Sequence, residues 1–185
     1  SGQVLFQTNR GNGSTALSGG GVSVQVQRVA NGGFESGSSS WVLSGNFQAD
    51  SRFAFPHTGS GYSYLANFDG TAGNNLLGAM YQTVTIPAAA TSATLTFWCN
   101  TTSQESTGFP FDVLNITIQT SSGSYLATVA VLSNQHQGTV GVYNQISFNA
   151  TPYKGQTIRV HFLGTTDSNL PTTFRVDDVS LMSDG

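Results

Sequence analysis

Ala93-Thr94-Leu95-Thr96-Phe97-Trp98-Cys99-Asn100 changes character at every step: Leu95, Phe97 and Cys99 fall on one side of an extended chain, and Thr94, Thr96, Trp98 and Asn100 on the other. Successive side chains of a strand point to opposite faces, so this stretch reads as a strand with one side for a core and one for solvent. The same alternation recurs along the chain. Leu114, Ile116 and Ile118 oppose Asn115, Thr117 and Gln119, while Ile158, Val160 and Phe162 oppose Arg159 and His161. Strands are predicted over 3–8, 22–29, 41–49, 62–67, 79–86, 93–100, 111–119, 124–132, 144–149, 156–163 and 172–182. Gly, Ser, Asn and Pro clusters such as Gly59-Ser60-Gly61 and Asn169-Leu170-Pro171 punctuate them. Helical periodicity is almost absent. Many short strands, each with one apolar face, predict an all-β fold of antiparallel strands, a sandwich or a barrel.

Composition agrees and narrows the function classes. Only 8% of the 185 residues are charged, the net charge is −3, and six residues are basic, with Lys154 the single lysine. That argues against a phosphate-tracking nucleic-acid surface. Gly, Ser, Thr, Asn and Gln fill the space around 38% hydrophobic residues, the texture of a secreted or cell-surface β protein. Cys99 has no second cysteine to pair with and reads as a small buried hydrophobe. No apolar run reaches the roughly 20 residues of a membrane-spanning helix.

The first 28 residues differ from the rest. Gly11 to Gly21 (GNGSTALSGGG) is a linker by composition, and Val22, Val24 and Val26 alternate cleanly with Ser23, Gln25 and Gln27. We therefore divide the chain into an N-terminal strand-bearing extension, 1–28, and a sandwich, 29–185. The strand at 22–28 either covers an edge of its own sheet or completes that of an identical subunit, and the second course would build an extracellular filament.

Asn31-Gly32-Gly33-Phe34-Glu35 with Trp41, Tyr81-Gln82-Thr83-Val84-Thr85-Ile86-Pro87, Leu95-Thr96-Phe97-Trp98, Tyr153 to Val160 and Thr173-Phe174-Arg175-Val176-Asp177-Asp178-Val179-Ser180-Leu181 stand in a recognisable order. From Asn31 onward the chain resembles the carbohydrate-binding-module and MAM-like jelly rolls of secreted bacterial proteins. The resemblance implies a two-sheet antiparallel jelly-roll sandwich whose first and last strands lie close together. It also implies a structural calcium near the opening Glu and the first Asp of the closing motif, here Glu35 and Asp177, with loop carbonyls near Gly33 and Ser60. The alternative is that these two are ordinary turn and hydrogen-bonding residues. Trp41, in the opening motif, reads as core. Asp178, one residue on, should face the opposite side from Asp177.

No catalytic constellation emerges. There is no Gly-x-Ser-x-Gly elbow, no His-Glu-x-x-His and no phosphate-binding glycine loop, and His57, His136 and His161 are far apart. Glycoside hydrolysis needs paired carboxylates, and the chain has only Glu35 and Glu105 with seven Asp. The sequence reads as a non-catalytic module that binds a polysaccharide or surface glycan. Trp98 and Tyr81 are the expected aromatic platform, with Asn115, Arg159, His161 and Arg175 as hydroxyl partners.

Overall fold

Alternation of this kind leaves each strand needing a second apolar face, and the computed structural model, which describes residues 23–51, 55–65 and 74–185, supplies it as two facing antiparallel sheets. Eleven strands are found among the described residues: β1 (Val26–Gln27), β2 (Val42–Gly45), β3 (Phe47–Asp50), β4 (Tyr62–Leu65), β5 (Leu77–Thr85), β6 (Ala93–Ser103), β7 (Val113–Thr120), β8 (Tyr125–Ser133), β9 (Asn144–Asn149), β10 (Thr157–Thr165) and β11 (Thr172–Ser183). One sheet runs β3-β4-β11-β6-β9, with β1 added alongside β11; the other has five strands, β2-β5-β10-β7-β8. This is the two-sheet jelly-roll sandwich that the family resemblance implies, and the sandwich is one of the two all-β forms that the alternation allows. The predicted strand at 3–8, the linker from Gly11 and residues 66–67 lie outside the described residues.

The core is the sum of the inward faces. Leu95 and Phe97 of β6, Leu114, Ile116 and Ile118 of β7, and Ile158, Val160 and Phe162 of β10 are all fully buried. Phe97 meets Phe162 edge-on across the sandwich, ring centroids 5.2 Å apart. Trp41 is core, as expected: it packs on Phe34 and Phe162 and donates its indole N–H to the Asn31 carbonyl at 3.0 Å. Cys99 is buried too, and burial raises its thiol pKa far above the ordinary value, which leaves it an inert packing group.

The predicted strand 41–49 is in fact two strands in different sheets. β2 pairs with β5, whereas β3 pairs with β4. The chain crosses between sheets at Gly45, whose φ of +62° suits glycine and whose hydrogen stands where a Cβ would come 2.1 Å from the Leu77 carbonyl oxygen. Asn46 then bonds back to Leu77 at 3.0 Å through its backbone N–H.

β1 pairs within its own chain, Val26 opposite Ser183 and Gln27 opposite Met182. It occupies the flank of β11 beyond the stretch that β4 covers, Phe174 to Val176. Arg28 extends the seam, its N–H reaching the Leu181 carbonyl at 2.8 Å and its Nε the Ser183 hydroxyl at 2.8 Å. First and last strands therefore lie side by side. The C-terminal end is fastened by Asp184, which accepts from the backbone N–H groups of Thr91 and Ser92 and from the Ser23 hydroxyl.

Candidate functional site

Register separates the expected platform into two places. Tyr81, Asn115, Arg159 and His161 belong to the five-stranded sheet; Trp98 and Arg175 belong to the other. Each group faces outward from its own sheet, so Trp98 and Tyr81 look away from each other across the whole sandwich and cannot serve one ligand together.

On the five-stranded sheet, Val42, Tyr81, His161 and Thr117 form a row across β2, β5, β10 and β7, with Thr83, Arg159 and Gln119 in the next row and Ala79, Leu163 and Asn115 on the other side. Their neighbours along each strand, Met80, Ile116, Val160 and Phe162, are the buried ones, so this row is held in place by the core beneath it. Tyr81, Arg159, His161 and Asn115 are all half-buried. The Arg159 guanidinium lies over the Tyr81 ring, its carbon 4.3 Å from the centroid, and the Tyr81 and His161 rings are tilted at 6.2 Å. Burial, and then the positive charge of Arg159, lowers the His161 pKa below its ordinary value, which keeps the imidazole neutral at pH 7. The result is a surface with an aromatic ring, a neutral imidazole, an amide and a cation within three adjacent rows.

The outer face of the other sheet is roofed. Residues 55–61 cross it, and Arg175, expected among hydroxyl partners at the surface, is buried beneath them at 2% exposure. Its Nη1 reaches the Thr102 hydroxyl at 2.9 Å and Asn100 Oδ1 at 3.3 Å, and its guanidinium lies 5.6 Å from the Phe55 ring centroid. Trp98 is half-buried under the same loop: the His57 ring stacks on it, centroids 4.0 Å apart at 18°. Tyr143 adds a third ring against His57 at 5.4 Å and donates its hydroxyl to the Phe55 carbonyl at 2.7 Å.

Three carboxylates hold that roof. Glu35 Oε1 accepts from the Ser60 and Gly61 N–H groups at 2.9 and 3.0 Å, and Oε2 from the Ser60 hydroxyl at 2.8 Å, bonds that lower its pKa. Asp177 Oδ2 accepts from the His57 N–H at 2.8 Å, and Oδ1 from the Asp178 N–H at 2.7 Å. Desolvation outweighs those bonds and pushes the Asp177 pKa up to about 7. Asp178 does not face away from Asp177: a bulge between Asp177 and Ser180, with Asp178 at φ 47°, turns it to the same loop, where its Oδ2 meets His57 Nδ1 at 2.7 Å and the Thr58 hydroxyl at 2.8 Å. Gly59 is needed here, since a Cβ would stand 2.1 Å from Glu35 Oε1.

The calcium expectation is judged by this donor set. The backbone N–H groups of residues 57, 58, 60 and 61 converge on Glu35 and Asp177, which is the surrounding of an anion, and a cation placed among them would meet the positive ends of those dipoles. Calcium takes six to eight oxygens, yet among the described residues no three His, Cys, Asp or Glu side chains gather as a metal group. The arrangement as it stands does not fit the ion. It fits two carboxylates that cap a loop.

His57 is the residue that sequence reasoning passed over. It lies in no alternating segment, and its partners Trp98 and Asp178 are distant in sequence, so no local pattern announces it.

Neither a family model nor a curated protein matches the sequence. Solved structures do match in shape. The fold is one shared with carbohydrate-binding modules. A family 61 module in complex with β-1,4-galactotriose superposes with a TM-score of 0.63 at 14% identity, over 86% of this chain and 99% of that one. The K3 cleaved adhesin domain of Lys-gingipain from Porphyromonas gingivalis W83 gives 0.60 at 16% identity, over 86% and 99%. A family 16 carbohydrate-binding module gives 0.51 at 19% identity, over 82% and 96%. At these identities the likeness establishes the jelly roll.

Proposed function

We propose that this protein is a non-catalytic, extracellular binding module that holds a polysaccharide across the outer face of its five-stranded sheet. The observation that carries the proposal is the row through Tyr81 and His161, flanked by Arg159 and Asn115 on β10 and β7. A pyranose presents an apolar C–H face and a rim of hydroxyls. A ring fixed in a sheet, surrounded by a neutral imidazole, an amide and threonine hydroxyls, answers both. Strands β2, β5, β7, β8 and β10 contain no Asp or Glu, so these strands offer no carboxylate pair of the kind that glycoside hydrolysis needs. Structurally similar modules, one solved with a galactotriose, support the class of ligand. Trp98 has no place in this site because His57 covers its ring.

Affinity electrophoresis against a panel of neutral and acidic polysaccharides tests the assignment. Retention is expected on at least one of them, lost in Tyr81→Ala and kept in Trp98→Ala. Retention that survives Tyr81→Ala but not Trp98→Ala would move the site to the other sheet, and no retention on any glycan would end the reading. The filament alternative gains no support from strand pairing, since β1 is spent on its own β11. A monodisperse single-chain particle in light scattering is the expected result.

A further inference from the structure

β10 is the middle strand of its sheet, and Arg159 stands on its outer side between Thr83 of β5 and Gln119 of β7. It is the sole charged side chain of the five strands apart from what His161 gains on protonation. Its Nε is buried and has no hydrogen-bond partner among the described residues. A buried donor left unpaired is costly, and native structures tolerate few of them. Two neighbours border the rest of the side chain: Tyr81 lies under the guanidinium at 4.3 Å, and the β7–β8 turn approaches Nη1 so closely that a Cβ on Gly123 would stand 3.0 Å away. A guanidinium held in one plane is prepared for two parallel bonds to a flat or tetrahedral oxyanion. The five described strands of this face carry no carboxylate that would compete for it.

The geometry points to an anionic polysaccharide as the ligand, with the Arg159 guanidinium on its Tyr81 support pairing with a carboxylate of a uronic acid unit or a sulfate ester. The inference rests on the reading of this face as a glycan site and adds the chemical class. Asn115, two rows away on β7 with no side-chain bond to another described residue, remains for the hydroxyls of the adjoining unit.

Affinity electrophoresis and titration calorimetry with three probes decide it: polygalacturonate, which carries carboxylates; carrageenan, which carries sulfate esters; and a neutral β-1,4-galactan. Binding to at least one acidic polymer is expected to exceed binding to galactan. It should weaken as NaCl is raised from about 50 to about 500 mM, because the pair is partly exposed to screening. Arg159→Gln is expected to weaken the acidic polymer by about tenfold or more, the scale of a lost charge-assisted bond. Arg159→Lys keeps the charge without the planar fork and should lie between. Preference for polygalacturonate alone assigns a uronate, preference for carrageenan alone a sulfate ester, and binding of both a general anion. Should Arg159→Gln fail to fold, the salt dependence of the unaltered protein and Arg159→Lys still decide. Galactan bound as tightly as both acidic polymers, with acidic-polymer binding insensitive to salt and to Arg159→Gln, overturns the acidic ligand while leaving the glycan site intact; absence of binding to all three overturns both.

Discussion

Replacing His57 by alanine should loosen the roof over the six-stranded sheet by a calculable amount. The ring contributes two interactions: the stack on Trp98 at 4.0 Å and the bond from Nδ1 to Asp178 Oδ2 at 2.7 Å. Aromatic pairs contribute about 0.5–1.5 kcal/mol beyond burial, and hydrogen bonds to charged groups about 1.5–3 kcal/mol. The side chains are 24% and 27% exposed, so solvent screening reduces the second figure toward its lower end. The sum is about 2–3 kcal/mol. For a chain of this length each kcal/mol moves the melting midpoint by roughly 2–4 °C, which places the expected fall at about 4–12 °C. Intrinsic fluorescence gives a second readout: Trp41 is sealed at 7% exposure, so a red shift in His57→Ala reports Trp98 alone. His57→Phe keeps the stack, loses the bond, and should recover about a third of the loss with little red shift. A variant that melts within 1 °C of the parent, with unchanged emission, would show that the loop is not fastened through this ring.

Gly45→Ala forces a Cβ to within 2.1 Å of the Leu77 carbonyl at φ +62°, and should cost about 2–3 kcal/mol in urea unfolding; a cost below about 0.5 kcal/mol would mean the crossover between sheets adjusts freely. Asp177 carries a proton in the folded state up to about pH 7, while its ordinary value is 3.8. Folding therefore takes up a proton between those limits, and the contribution of Asp177 to stability is present below about pH 4, falls as pH rises to 7, and is level above it. The Asp177 carboxyl carbon should titrate near 7 by NMR, and a midpoint below 5 would refute the assignment. EGTA should leave the melting curve unchanged, because Glu35 and Asp177 already accept from backbone N–H groups; a large downward shift reversed by calcium would restore the metal.

Much of this molecule is written in its alternation, which reports whether a side chain faces in or out and little else. It placed β9 at 144–149 to the residue and put Leu114, Ile158 and Phe97 in the core, because burial of one face is a local consequence of period two. It could not say which sheet a strand joins, and so it set Trp98 beside Tyr81. Sheet membership depends on register between segments far apart, such as His161 with Tyr81. It failed at Gly45, where the pattern continues while the chain changes sheets, and at Asp178, where a bulge breaks the period. Outward did not mean exposed for Arg175, since a loop from elsewhere in the chain lies over it. Coverage of that kind leaves no trace in the strand that is covered.

The pairing of β1 with β11 has a mechanical consequence. Val26 lies opposite Ser183 and Gln27 opposite Met182 in antiparallel sense, so the leading end of β1 and the trailing end of β11 leave the sheet at the same edge. Tension applied through those two ends would load the bonds one after another, as in opening a zipper, and not all at once, as in shear. The seam should peel at low force, while β6, β9 and the rest of β11 stay zipped behind it.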